Sequence, residues 1–413
     1  MVGGFRVPAL SVDEAGPERG TAVWEDDYIL LALLSHGLVE MKRRLEGLGE
    51  PRHLLSRAER RDTGLPGAWQ EAVTRLWWRF FWAGLEPPRN DYAVLELCRL
   101  PLGQWPLRMA LSSADVEVSL LDGEEPSEFA EEAVRGAWGD PEAHIAEQRV
   151  HQALLLVAEA NAREGRDAWR IYVRMRRLVI ERPVISDVEV RALQQELPAG
   201  PTAGEPYVMD FVRTAYERRP AENGVTLTVC ARCGVPLPQA RGSRNKSCGT
   251  PNCETSPKIL HLPTLGFYWV LHRGARRFVH DPGVFELRVC EKVRALGLEP
   301  ELWLGTDQPD ALDVSFRVPR GKRSELWGTD EKDWASPVLL ARSFRWPIEP
   351  ECDRRFLVVP EHRAQVPGYL TDLRTELAGR TDPARPFKVV TEKQLLTEIR
   401  RALARQGGGS CAR

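Results

Sequence analysis

The chain has 413 residues, 43% of them hydrophobic and 28% charged, with a net charge of −2. These values exclude a mainly disordered chain and a polycation, predict roughly two to four domains, and confine any nucleic-acid surface to a local patch. No apolar run approaches the ~18–20 residues of a membrane span, and the N-terminus lacks the pattern of a secretory signal, so a cytoplasmic protein without membrane association is expected.

Residues 1 to about 20 are punctuated by Gly and Pro and are expected to fray. From about 24 to 45, Leu30, Leu33, Leu34, Leu38 and Met41 recur at helical spacing. A second helix is predicted over 69–82, with Val73, Leu76, Trp77 and Phe80 on one side. Of the thirteen tryptophans, eight precede residue 170. They read as packing aromatics rather than a base-stacking platform. One or two long helices are predicted over 141–180. Their basic stripe (Arg170, Arg174, Arg176, Arg177) reads as a solvated face rather than a phosphate contact. A short helix follows Asp187. The Pro/Gly segment LPAGPTAGEP, 197–206, marks a soft domain boundary. Residues 1–200 therefore form a mainly helical region without a chemical motif.

Residues 230–254 read CARCGVPLPQARGSRNKSCGTPNCE. Cys230 and Cys233 form one short loop, Cys248 and Cys253 another, which is the spacing of a structural zinc site. A redox pair would leave two cysteines unexplained. Four thiolates close the coordination shell, so this zinc is expected to be structural. Between 230 and 280 the sequence carries eight cations (Arg232, Arg241, Arg244, Lys246, Lys258, Arg273, Arg276, Arg277) against one acid, Glu254. Such a patch suits a nucleic-acid backbone.

Beyond it the predicted order is α-β-β-β-α-β-α-β-α. A helix starts at Asp281-Pro282-Gly283, with Asp281 as its cap, and runs to about 296. Strands follow at 301–304, 314–318 and 325–332, with PRGKR as the turn between the last two. Then come a helix at about 337–342, a strand at 356–359, a helix at 369–377 and a strand at 387–390. The last helix begins with a capping box, Thr391 and Gln394. Residues 406–413 are a flexible tail. Asp313 stands at the start of the second strand, and Asp330 and Lys332 end the third. Residues i and i+2 of a strand share a face, and the hairpin brings Asp313 alongside. Two carboxylates with a backbone carbonyl suit Mg²⁺, and a neighbouring lysine stabilises charge that grows as a phosphodiester is hydrolysed.

This frame with Asp…Asp-x-Lys resembles the restriction-endonuclease-like, PD-(D/E)xK nucleases. More narrowly, PDALDVSFRVPRGKRSELWGTDEKDWASP (309–337) resembles the nuclease of a prokaryotic three-gene defence island. That island also encodes a PIWI-RE protein, a divergent Argonaute relative, and a helicase. The resemblance implies a multidomain architecture. A helical partner or adaptor region (1–200) would precede a four-cysteine zinc ribbon (225–262) and an α/β restriction-endonuclease-like core (263–405). It implies Mg²⁺-dependent, or Mn²⁺-dependent, DNA cleavage against phage or plasmid DNA, with the PIWI-RE protein and the helicase as partners. Asp313 and Asp330 become metal ligands, Lys332 the catalytic lysine, and Glu331 the donor of a backbone carbonyl. Glu331 departs from the apolar residue usual there, which places it at a wet sheet edge or in an irregular strand. Asp310 competes with Asp313 for the first ligand, and Glu286 or Glu291 on the preceding helix could supply a further carboxylate, with a solvent-facing role as the alternative for each. Arg241, Arg244, Lys246, Arg276 and Arg277 are the expected DNA contacts. The competing reading is an inactive zinc-ribbon DNA-binding subunit that positions a partner nuclease or helicase.

Overall fold

A computed structural model of the chain describes residues 26–47, 64–137, 141–162, 167–201, 204–221, 224–237, 247–250, 253–304, 311–321, 323–347, 349–380 and 385–407. The N-terminal and C-terminal segments expected to fray lie outside these, apart from the last residues of the final helix.

The first part of the chain is helical. It contains α1 (Asp27–Gly47), α2 (Gly67–Trp82), α3 (Asp91–Arg99), a small ladder of β1 (Leu121–Asp122) with β2 (Glu125–Pro126), and α4 (Glu128–Ala137). Then come α5 (Pro141–Ala162), α6 (Ala168–Glu181), β3 (Val184–Ser186), α7 (Asp187–Glu196) and α8 (Tyr207–Ala215). The cap of α7 is Ser186, in a reciprocal capping box with Glu189. Segment 197–206 joins α7 to α8 with Leu197 and Ala199 buried.

Two small sheets precede the main one. β4 (Tyr216–Pro220) and β3 flank β7 (Phe267–Leu271), while β5 (Val225–Cys230) pairs with β6 (Pro257–Leu262) as a two-stranded ribbon. The β3–β7–β4 sheet has no counterpart in the sequence reading. A short turn, α9 (Arg273–Ala275), and a π-type turn at Arg276–His280 run directly into α10 (Asp281–Arg294). Asp281 is therefore not a cap. The helical run passes through it, and its carboxylate meets Thr250 Oγ1 at 3.0 Å and His280 Nδ1 at 2.8 Å.

The main sheet follows the predicted order. Its elements are β8 (Glu301–Leu304), β9 (Leu312–Arg320), β10 (Arg323–Glu331), α11 (Pro337–Ser343), β11 (Arg354–Val359), the short α12 (Glu361–Ala364), α13 (Tyr369–Ala378), β12 (Lys388–Thr391) and α14 (Glu392–Gly407). The strands lie in the order β12-β11-β10-β9-β8. β8, β9 and β10 are antiparallel, and β11 and β12 add in parallel. Thr391 and Gln394 cap α14 reciprocally, as predicted.

A sheet with parallel strands must be covered on both faces. Here helices of the first part join later ones in the core on each face. On one face α5, α6, α8, α10 and α14 bury Phe316, Trp327, Phe356 and Val358. On the other, α1 to α4, α11 and α13 bury Leu357, Val359, Tyr369 and Leu373. α2 presents Trp69, Leu76 and Phe80 to this second core, whereas Trp77, Trp78, Phe81 and Trp82 are exposed. Trp77 is thus not on the packing face expected for it.

Candidate active site

The four cysteines converge. Cys230 ends β5, and the chain turns through Gly234, whose positive φ of 75° and N–H to the Cys230 carbonyl (2.8 Å) close the loop. Cys248 and Cys253 arrive from the facing loop, and the four Sγ atoms all lie within 4.8 Å of one another. Zn–S bonds of about 2.3 Å in a tetrahedron require sulfurs about 3.8 Å apart, so the set fits a tetrahedral ion. Burial opposes charge on Cys230, but backbone hydrogen bonds at Cys233, Ser256 and Arg232 bring its thiol down to about 6. The cluster is fastened to the main body by His280, whose Nε2 meets the Cys233 carbonyl at 2.8 Å, and by Arg276 on the Cys248 carbonyl.

The second cluster sits where β9 begins and β10 ends. Asp313 Oδ2 accepts from the Glu331 N–H at 2.8 Å and from Lys332 Nζ at 3.1 Å. The same ammonium contacts Asp330 Oδ1 and lies 3.4 Å from the Glu331 carbonyl oxygen. Two carboxylates and a carbonyl therefore converge on one cation. Burial, then Lys332 against it, and then Arg176 set the balance at Asp313, which stays below the usual carboxylate range. Burial and the Asp313 charge push Asp330 up to about 7, against the pull of Lys332. Burial disfavours the Lys332 charge, but Asp313 and Asp330 outweigh it and raise its value, so it is an ammonium at neutral pH. Among the described residues, the cysteines are the only group of three or more His, Cys, Asp or Glu ligand atoms within metal reach. An ion at the acidic cluster would take two carboxylates, a carbonyl and outside oxygens, which matches the ligand habit of Mg²⁺.

Glu331 is neither at a wet edge nor in an irregular strand. It pairs in register with Val358 and is 2% exposed. It follows Trp327 and Thr329 on the alternating face opposite Asp330, towards α10. Burial first, and then Asp313, raise its carboxyl well above the ordinary value. Glu286 faces the same interior. It is bound by Arg176 Nη2 at 3.0 and 3.2 Å and by Trp303 Nε1 at 2.5 Å. Trp303 has φ 54° and falls between the ladder pairs Leu302–Val314 and Leu304–Leu312, opposite Asp313. A bulky residue in that region carries about 1–3 kcal/mol of strain.

Past Lys332, Asp333 is held by Arg363 Nε at 2.7 Å and by His362 Nε2 at 3.0 Å. Arg363 also reaches Glu128 of α4, and Glu132 of α4 accepts the N–H groups of Ala335 (2.7 Å) and Ser336 (3.2 Å).

Two family models match the chain. One, described as "REase associating with pPIWI_RE", covers residues 283–407, and the other, "pPIWI_RE three-gene island domain Y", covers residues 54–186. The chain belongs to the pPIWI-RE three-gene island. No curated protein and no solved structure gives a significant match.

In this island protein the matched REase-associated region contains Asp313, Asp330 and Lys332 together, and the cysteines lie between the two matched regions. Other expected site residues fall elsewhere. Asp310, Arg241, Arg244 and Lys246 lie outside the described residues. Arg277 does not face outward, since it pairs with Glu131 at 2.8 Å and Glu128 at 3.3 Å. Arg276 is engaged by the Cys248 carbonyl and by Asp281 at 3.8 Å. Both are held by partners within the chain. Arg176, expected on a solvated stripe, is buried. Its helix buries Tyr172, Met175, Arg176, Val179 and Ile180. That i, i+3, i+4, i+7, i+8 spacing places the arginine on the apolar face, and it was the signal available. No helix of the described residues is long and apolar enough to cross a membrane.

Proposed function

We propose that this island protein is a metal-dependent DNA endonuclease with a restriction-endonuclease-like core, acting with a PIWI-RE protein and a helicase against invading DNA. The observation that carries the reading is the meeting of Asp313, Asp330 and Lys332 at one end of the β9–β10 hairpin. The α-β-β-β-α-β order and the mixed sheet support the fold assignment. The matched description "REase associating with pPIWI_RE" supports the partner.

Asp313, Asp330 and the Glu331 carbonyl would hold Mg²⁺, or Mn²⁺ in its place. Such an ion supplies Lewis acidity and an acidified water. Lys332, kept charged by the two aspartates, faces the negative charge that builds on the phosphorus oxygens as water attacks and the P–O bond breaks. The four cysteines would hold Zn²⁺, whose closed shell fixes the ribbon. Arg241, Arg244 and Lys246, in the loop between Cys233 and Cys248, are proposed DNA contacts. Residues 1–200 are proposed as the partner-contacting region, 225–262 as the zinc module and 263–405 as the nuclease domain.

The test is cleavage of duplex, single-stranded and R-loop DNA with and without Mg²⁺, alone and with the partners. Asp313→Asn and Asp330→Asn are expected to lower cleavage by orders of magnitude. Lys332→Ala should abolish it while DNA binding persists. Asp310→Asn identifies the first ligand, since it should be silent if Asp313 fills that role. No cleavage of any DNA form by the native protein with its partners would replace this reading with that of a DNA-binding subunit.

A further inference from the structure

The REase-associated match begins at residue 283 and the domain Y match ends at residue 186, yet side chains from both meet directly behind the acidic cluster. From α6, within the domain Y match, comes Arg176. Its guanidinium lies 4.5 Å from the Trp303 ring centroid and binds Glu286 of α10 through Nη2. Tyr172 Oη, one turn earlier on α6, lies 3.5 Å from Arg176 Nη1. The two helices approach closely because α10 has Gly283 one turn before Glu286. A Cβ there would stand 2.3 Å from Ile180, which lies one turn after Arg176. Glu286 then takes the Trp303 indole N–H, and Trp303 is the left-handed residue opposite Asp313. The contacts run unbroken from α6 to the strand position that faces the first carboxylate.

We infer that Arg176 is a positioning residue of the acidic site: it holds Glu286 and Trp303 against the start of β9, so that the helical region matched as domain Y completes the metal-binding geometry of the nuclease core. This rests on the reading of Asp313 and Asp330 as metal ligands. Arg176 touches neither the proposed ion nor substrate. It compensates the Glu286 charge in a dry interior and keeps the indole in a backbone conformation that a bulky residue leaves when its restraints are removed. The guanidinium is suited to this because it presents a planar fork to a carboxylate while its face lies against an aromatic ring.

The experiment uses the full chain and reads Mn²⁺ binding by electron paramagnetic resonance, with Asp330→Asn as the blank for the acidic site. Arg176→Met is expected to weaken Mn²⁺ binding tenfold or more while the zinc content of the cysteine cluster stays the same. Arg176→Lys should recover part of the loss. Arg176→Met takes the guanidinium away from the buried Glu286 carboxylate, so the double variant Arg176→Met/Glu286→Gln, which removes both charges, guards against simple misfolding. It too should bind Mn²⁺ at least tenfold more weakly than the native chain. A folded double variant with native Mn²⁺ affinity would overturn the inference, even if the native protein cleaves DNA. Weakened binding in the arginine variants of a protein that cleaves no DNA would sustain the inference and sink the nuclease reading. A native chain with no Mn²⁺ bound through Asp330 would overturn both.

Discussion

The two clusters of this protein are built in opposite ways. The cysteine ligands come from 24 consecutive positions, and two short loops bring them together on one ribbon. The acidic cluster draws its three central residues from the β9–β10 hairpin and its next shell from α6, α10 and β8. A site made from local spacing folds with its own loop. A site made from remote elements exists only when the whole body is assembled. Substitutions sharpen the contrast. Cys230→Ser or Cys248→Ser should lose the zinc, and with it a local contribution that reaches about 10–16 kcal/mol in zinc-finger peptides. Elemental analysis and limited proteolysis of the ribbon would show it. Stoichiometric zinc retained by both variants would remove the cysteine cluster from the comparison.

A fragment starting at residue 225 tests the contrast from the other side. It keeps the four clustered cysteines and all of the β9–β10 hairpin but loses α1 to α8. α10 and α14, and α11 and α13, stay on the sheet, but α10 loses α6 and α11 loses α4, which opens both cores, where Val289, Val293, Leu339 and Leu340 are buried. Each is worth about 1.5–3 kcal/mol of burial, and a domain's whole stability is about 5–15 kcal/mol. The fragment is expected to bind zinc, aggregate, and show no Asp330-dependent Mn²⁺ binding. A monomeric fragment with native Mn²⁺ affinity would show that the two sites differ less than their construction suggests.

Legibility in the sequence follows the same division. The four cysteines, the α-β-β-β-α-β order and the Thr391–Gln394 cap each rest on patterns along a continuous stretch of chain, and each is present in the structure. The convergence of Asp313 on Asp330 and Lys332 was also readable, because they belong to one hairpin whose antiparallel register places them side by side. The partners from distant helices were not. Periodicity shows that Arg176 shares a face with Met175 and Val179, but not that Glu286 stands opposite it 110 residues later. Glu331 alternates with Trp327 and Thr329 and so belongs on a buried face. Its charge alone suggested an exterior that the sheet does not provide there. On α2, the apolar count does not say which tryptophans are inside. Trp69 is buried and Trp82 is not, because only one side of that helix meets α1.

The smallest expected effect concerns Glu132, by which α4 holds the chain just beyond Lys332. Burial, then repulsion from Glu128, raise this carboxyl from its ordinary 4.5 to about 8, against Arg363, Arg277 and the Ala335 N–H. Between those values the folded chain keeps a proton that the unfolded chain has released. Stability therefore falls as pH rises across the interval. The contribution is complete below about pH 4.5 and is lost as pH rises through about 8. Glu132→Gln carries no titrating group but keeps one acceptor for the Ala335 or Ser336 N–H. The difference in melting temperature, variant minus native, should grow in the variant's favour from pH 5 to about pH 8 and level off above it. At low pH the variant should be equal or slightly less stable, because the native side chain is already neutral there. Thermal unfolding of both proteins at half-unit steps of pH gives the curve. A difference that stays flat across that range would mean that Arg277 and Arg363 keep Glu132 ionised throughout, and that α4 holds the strand end by charge rather than by a neutral hydrogen bond.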